Sequence, residues 1–470
     1  MRIALFGHFG VGNMGNECTL QAMLHNLRAR LPDAEIYSIC SNPHDTRTRH
    51  QLGAVPIRGA RVPERTSSRP RSPRSILTKL FRMLFVHVPL ELAEWLRAFR
   101  ALKGTDILAM TGTGMLTDAN TSSFGMPYQI FKWACVARLR GCRVRFVSVG
   151  VGPFYEELSR LFIRAALLLA DYRSYRDQES KSRLEFIGFK STGDSVVPDL
   201  AFSLPRSVLP ESSRSRTHPM VVGIGVMNHY YYGPGYGPTG AAVLPEATHL
   251  GYLSKMADFI VWLIERDYAV RILHGDASCD SRARADLRAL LETRGVKVGD
   301  GRIVDDDILS VTDLLSQIAA TDVVVAPRFH NLVLALMLDK PVMSVSYDAK
   351  TDSLLERFGL GQYRQPIGDL NVGRLIEQFI DLEARFQPLR RGLRRTAEEY
   401  RGTLQMEYLA VLGNLHPRDA HSTDPVPGRT ASGVSSPQSA VNAWPQKDRK
   451  PVAPYHPKTG DPLPARAGHR

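Results

Sequence analysis

Short apolar runs, each followed by an amphipathic helical stretch, recur along most of this chain, and that alternation constrains its fold more than any other feature. Strands are predicted at 2–8, 35–40, 106–110, 143–149, 171–175 and 195–197, with helices at 17–29, 128–140 and 157–170. After a polar stretch at 211–219 the pattern starts again, with strands at 220–226 and 269–273 and helices at 250–265 and 280–294. Parallel strands need a crossover element to reach their neighbours, so the rhythm predicts α/β architecture with helices on both faces of each sheet. At 470 residues the chain exceeds what one hydrophobic core usually organises. The expectation is two Rossmann-like domains facing a cleft, over 1–205 and 220–365, followed by C-terminal helices at 366–414. A tail at 415–470, rich in Pro, Ser, Gly and basic residues, is expected to be disordered.

Composition narrows the function classes. An apolar content of 43% with 23% charged residues is ordinary for a soluble globular chain. The first residues run from a strand into a Gly-rich turn rather than forming a signal peptide, and no apolar run reaches the roughly 18 residues that span a bilayer. Cys18, Cys40, Cys135, Cys142 and Cys279 are scattered without CxxC spacing, which reads as reduced thiols in a cytoplasmic protein, with neither a disulfide framework nor a zinc site. No acidic cluster has metal-ligand spacing, so no metal is expected.

The formal charge of +13 is unevenly spread. Residues 58–103 hold 11 Lys/Arg against 3 Glu, a local net of +8. The segment opens as an Arg-, Pro- and Ser-rich loop and continues at 76–86 with cations interleaved among bulky apolar residues. Two readings stand: peripheral contact with an anionic membrane surface, or a helix packed on the sheet with a solvated basic face. No nucleic-acid module accompanies the charge, so nucleic acid is not an expected partner.

The clearest chemistry lies in Val323-Val324-Val325-Ala326-Pro327-Arg328-Phe329-His330-Asn331. A buried strand at 321–326 stops at Pro327, an apolar helix is predicted at 331–338, and another strand follows at 342–345. Arg328 and His330 therefore fall between a strand's carboxyl end and a helix's amino end, where free N–H groups and the helix dipole favour anions. His274 ends another strand, and Asn228-His229-Tyr230-Tyr231-Tyr232 forms an aromatic loop of a kind that stacks on sugar rings.

Gly10-Val11-Gly12-Asn13-Met14-Gly15 fits the dinucleotide pattern G-x-G-x-x-G. The acidic residue that would hold the ribose is missing, because the next strand ends in Ile39-Cys40-Ser41-Asn42. A tight turn with positive φ and close helix–strand packing accounts for the glycines instead. Asn13, Asn16 and Glu17, at the turn that opens the helix, either cap it or touch a polar ligand across the cleft.

Together these segments resemble a family. Gly12-Asn13-Met14-Gly15-Asn16-Glu17 looks like the G-N-x-G-D-E signature of the polysaccharide pyruvyl transferases. Ser148-Val149-Gly150-Val151-Gly152-Pro153, Tyr175-Arg176-Asp177-Gln178-Glu179-Ser180 and Pro198-Asp199-Leu200-Ala201-Phe202 resemble its middle blocks. Arg328-Phe329-His330 with Tyr347-Asp348-Ala349-Lys350 resembles its R-x-H…Y-x-x-K block. Asn16 departs from the usual Asp, and Thr111-Gly112-Thr113-Gly114 from a more Gly-rich turn.

The resemblance implies a GT-B-like fold and transfer of the pyruvyl group of phosphoenolpyruvate, a co-substrate, onto two hydroxyls of a saccharide, either an exopolysaccharide or a lipid-linked oligosaccharide, in exopolysaccharide assembly. It implies His330 as the catalytic acid/base, Arg176, Arg328 and Lys350 as phosphoenolpyruvate ligands, and Asn13, Asn16 and Glu17 on the acceptor side, with no further cofactor. Two alternatives differ in kind: a GT-B glycosyltransferase using a nucleotide-sugar, and a non-catalytic polysaccharide-assembly protein.

Overall fold

The computed structural model describes residues 1–59, 87–119, 121–211, 219–228, 246–277 and 279–413. The first lobe is a seven-stranded parallel sheet built from β1 (Arg2–Gly7), β2 (Glu35–Cys40), β3 (Gly53–Pro56), β4 (Ile107–Thr111), β5 (Arg143–Val149), β6 (Tyr172–Tyr175) and β7 (Ser195–Val196). Its spatial order is β3-β2-β1-β4-β5-β6-β7. Helices α1 (Met14–Arg30), α2 (Pro43–His50), α3 (Val88–Ala101), α4 (Met126–Leu139), α5 (Glu157–Leu168) and α6 (Gln178–Phe186) flank it. The second lobe has six parallel strands, β8 (Val221–Gly225), β9 (Ala269–Leu273), β10 (Ile303–Val304), β11 (Val323–Ala326), β12 (Val342–Ser346) and β13 (Arg364–Pro366), ordered β10-β9-β8-β11-β12-β13. Helices α7 (Glu246–Glu265), α8 (Ser281–Thr293), α9 (Val311–Ala319), α10 (Phe329–Met337) and α11 (Ala349–Arg357) belong to it.

The central strands are apolar and buried on both faces, as a helix-covered parallel sheet requires. In each sheet the strand order reverses beside the first strand: β1 pairs with β2 and β4, and β8 with β9 and β11. A crevice opens at the carboxyl ends of strands at such a reversal.

Two closing helices follow, α12 (Val372–Ala384) and α13 (Phe386–Leu412), with the break between them at Arg385. Helix α13 leaves the second lobe and packs on the first. Its Tyr400 meets Phe202 at 5.1 Å and Phe358 at 5.3 Å, and Phe202 stacks on Phe358 at 5.7 Å, so one aromatic trio joins both lobes and the helix. Further along, Glu407 accepts hydrogen bonds from Tyr172 Oη and Ser174 Oγ of β6, both 2.5 Å. Burial raises the Glu407 pKa. Most of the basic segment's loop, the aromatic loop at 229–232 and the tail at 415–470 lie outside the described residues.

Candidate functional site

Both strand-order reversals open onto one cleft. From the first lobe come His8 and the glycine loop after β1, the Gly112–Gly114 turn after β4, and Arg176 after β6. From the second come Gly275-Asp276 after β9, and Arg328 and His330 after β11. Helix α10 begins at Phe329, two residues before the predicted start, so His330 lies in its first turn rather than in the preceding loop.

The hub is Asp199, the capping residue of the 3-10 turn Leu200–Ser203, and 3% exposed. Its Oδ2 lies 3.3 Å from Arg176 Nη1 and 3.6 Å from His330 Nε2, while Oδ1 accepts the Ala201 N–H at 3.0 Å. Burial alone would push this carboxyl up. The imidazole of His330, the guanidinium of Arg176 and the Ala201 N–H outweigh it and hold the pKa at about 2. One buried carboxylate thus ties a first-lobe arginine to a second-lobe histidine. Phe329 supports both, with Arg176 over its ring at 4.7 Å and the His330 ring edge-on at 5.2 Å.

Arg176 has donors to spare. Nε reaches Asp177 at 3.4 Å and Nη1 reaches Asp199, which leaves Nη2 without a partner among the described residues. Nη2 points at Gly150, where an added Cβ would sit 2.5 Å away, and toward Gly114. The two glycines make room beside a cation. Burial opposes its charge, but Asp199, Asp177 and Asp348 raise its pKa.

The other predicted cations differ in placement. Lys350 Nζ lies 3.5 Å from Asp348 and 5.3 Å from the Tyr347 ring centre. Burial raises the Asp348 pKa, but Lys350, Arg183 and Arg176 together bring it below the usual range, so Lys350 joins the Arg176 cluster through Asp348. Arg328 makes a two-pronged ion pair with Asp280, using Nε at 3.0 Å and Nη2. Asp280 also accepts the backbone N–H groups of Asn228 and Asp276 at 3.2 and 3.1 Å. Arg328 therefore braces the loops around the second reversal. Next to it, Asn331 is fully buried against Gly225 and Gly275, and neither of its amide atoms is bonded among the described residues.

The glycine loop is the facing wall, and its glycines differ in what they do. Gly10 and Gly12 do take positive φ, 77° each. Gly15 packs against the other lobe rather than its own sheet: a Cβ there would lie 1.9 Å from His330 Nδ1. Asn13 caps α1 by accepting the Asn16 N–H, and its Nδ2 donates to Asp276 at 3.0 Å. Met14 N–H to Gly275 O and Ala277 N–H to Gly12 O, both 3.0 Å, complete a clasp between the lobes. Asn16 turns back to the His8 carbonyl at 3.0 Å. Glu17 is fully buried, accepting the Gly10 N–H and bonding His50 Nε2, both at 2.8 Å, so it shapes the loop from beneath. His274 is also buried, with Nε2 at 3.2 Å from the Ile308 carbonyl.

Sequence reading did not single out Asp199 or His8. Asp199 sits in a quoted block, but its partners come from distant segments. His8 directly follows β1, bonds Ser41 Oγ at 2.7 Å, and is open to solvent yet walled by protein. Burial lowers its pKa, while Asp276 and Glu17 pull it back.

The chain is 22% identical over 423 residues to the amylovoran biosynthesis protein AmsJ of Erwinia amylovora, a match covering 85% of this chain and 96% of AmsJ. Among solved structures, a putative UDP-N-acetylglucosamine 2-epimerase from Listeria monocytogenes superposes with a TM-score of 0.54 at 12% identity, over 87% of this chain and 95% of that one. MnaA of S. aureus, solved with UDP, gives 0.52 at 11% identity, over 89% and 100%. Such likenesses establish the GT-B-like fold alone. The sequence profile of the polysaccharide pyruvyl transferases matches residues 13–349, from the glycine loop to the turn before Lys350, and the chain belongs to that family of transferases.

Proposed function

We propose that this protein moves the pyruvyl group of phosphoenolpyruvate onto two hydroxyls of one saccharide, forming a cyclic ketal and releasing phosphate. The observation that carries this reading is the buried Asp199, which joins a cation and an imidazole from opposite lobes at the first turn of a helix. Phosphoenolpyruvate bears about three negative charges on a small body, so it needs fixed cations and free N–H groups. Arg176 Nη2, the start of α10 and Lys350, once drawn off Asp348, supply them. Arg328 serves by bracing the loop rather than by contact.

Nε2 of His330 faces the ionised Asp199 at 3.6 Å, which leaves Nδ1 as the nitrogen that exchanges protons. Nδ1 takes the proton of the attacking hydroxyl and returns it to the methylene carbon, so the enol carbon gains a C–O bond and the methylene becomes a methyl. The C–O bond to phosphate then breaks, the second hydroxyl closes the ketal, and its proton leaves with phosphate. Arg176 stabilises the charge that develops on the departing group. AmsJ is named for amylovoran biosynthesis, which together with the family supports a saccharide acceptor and a role in exopolysaccharide assembly.

The test is phosphate release from phosphoenolpyruvate with acceptor present, in the wild type and in His330→Ala. The alanine variant is expected to fold normally and lose at least about 100-fold in turnover. Near-wild-type turnover in a folded variant overturns the role of His330.

A further inference from the structure

We propose that the face formed by α3 and the amino-terminal parts of α4 and α5 docks on an anionic lipid bilayer. In α3, Leu92, Leu96 and Phe99 recur at helical spacing, yet this stripe is exposed: 60%, 55% and 38%. Helix α5 repeats the arrangement at its start with Leu158 and Leu161, and Phe124 stands 61% exposed just before α4. A solvent-facing leucine stripe is unfavourable unless something apolar covers it.

The patch is continuous. Trp95 of α3 donates to Tyr128 Oη of α4 at 2.9 Å, and Tyr128 and Phe124 pack on Phe162 of α5 at 5.3 and 5.9 Å. Leucines rimmed by Trp and Tyr suit the boundary between acyl chains and headgroups. No described helix is long and apolar enough to cross a membrane, so the face lies on the bilayer.

Charge selects the occupant. Three carboxylates of this face are already paired with cations, Glu91 with Lys132, Glu94 with Arg97 and Glu157 with Arg160, while Glu156 accepts from Ser123. Arg100 and Arg164 make no ion pair among the described residues. The sequence entering α3, residues 60–86, adds 7 Lys/Arg against 1 Glu. Arg100 and Arg164 beside an apolar patch fit anionic headgroups. Helices run antiparallel to the strands they follow, so Phe124 and Leu158, at helix starts, stand on the cleft-facing edge of the sheet. Docking there presents the cleft to a saccharide carried on a membrane lipid.

The test is flotation of the full chain with vesicles of phosphatidylcholine alone or with about 30% phosphatidylglycerol, which involves neither donor nor acceptor and so succeeds or fails independently of the reaction. At least about fivefold more protein is expected to float with the anionic vesicles. Two variants, Leu92→Glu/Leu96→Glu/Leu161→Glu and Arg100→Glu/Arg164→Glu, are each expected to reduce that fraction at least about threefold with unfolding temperatures unchanged. Wild-type flotation of both variants, or no flotation of the wild type on either vesicle, overturns the proposal. So does a wild-type oligomer that the leucine variant dissociates, since the face then belongs to a protein partner.

Discussion

Replacing Gly15 by alanine separates catalytic geometry from fold stability in one substitution. Gly15 is the second residue of α1, where alanine is favoured over glycine by up to about 1 kcal/mol. The added Cβ would lie 1.9 Å from Nδ1, 2.2 Å from Cγ and 2.5 Å from Cε1 of His330. Restoring ordinary contact at about 3.4 Å moves the ring roughly 1.5 Å. That displacement breaks the 3.6 Å approach to Asp199 and misplaces the proton-exchanging nitrogen. A shift of this size costs on the order of 100-fold in turnover, or about 2.7 kcal/mol of barrier. The assay pairs phosphate release with thermal unfolding. Turnover is expected to fall about 100-fold while the unfolding temperature holds or rises. A Gly15→Ala enzyme with wild-type turnover refutes the contact as a catalytic constraint, and one that loses activity only by unfolding refutes the separation.

Other expectations concern the buried charges around the cleft and in the second lobe. Asp199 is held at about 2 from an ordinary 3.8, so its stabilisation is complete above pH 4 and is lost as pH falls toward 2. Asp199→Asn should therefore cost about 2 kcal/mol at neutral pH and little at pH 2, measured by denaturant unfolding. Lys340, 2% exposed and donating to the Ala319 carbonyl at 3.0 Å, is pushed down to about 8 by burial. The penalty for its charge is full below pH 8 and is relieved as pH rises toward 10.5, so Lys340→Met should stabilise the fold by about 1–2 kcal/mol at pH 7 without altering turnover. Arg328→Ala strands the buried Asp280 and should cost about 3–5 kcal/mol of stability. Arg176→Lys should leave stability nearly unchanged and raise KM for phosphoenolpyruvate about tenfold or more in steady-state assays, since a lysine cannot reproduce the planar fork.

The fold was legible because it is written locally. Buried strands such as Ile107–Thr111 are apolar on both faces, and the glycine turns mark where they stop. Helix α2 and strand β3 escaped notice because Pro-His-Asp-Thr-Arg-Thr-Arg-His has almost no apolar side to reveal a helix. The site was half legible. Arg176, His330 and Lys350 could be placed near one another from strand ends and motif order. Arg328 and Arg176 look alike in sequence, each following a strand, and only tertiary partners distinguish them: Asp280 seals one, while the other keeps Nη2 open. Glu17 resembles a cleft residue but lies beneath its loop, because its carboxylate is the acceptor for Gly10. Asp199 and Gly15 matter through residues far along the chain, which no local pattern displays.

The central claim is tested most directly by nuclear magnetic resonance. The full chain is incubated in D₂O with carbon-13-labelled phosphoenolpyruvate and saccharide from a host strain lacking this protein, and both carbon and phosphorus are followed. The predicted result is a ketal carbon and inorganic phosphate appearing in equal amounts, with solvent deuterium in the new methyl group, and neither product with His330→Ala. Unconsumed phosphoenolpyruvate, together with sugar transfer from a UDP- or GDP-sugar, would contradict the account.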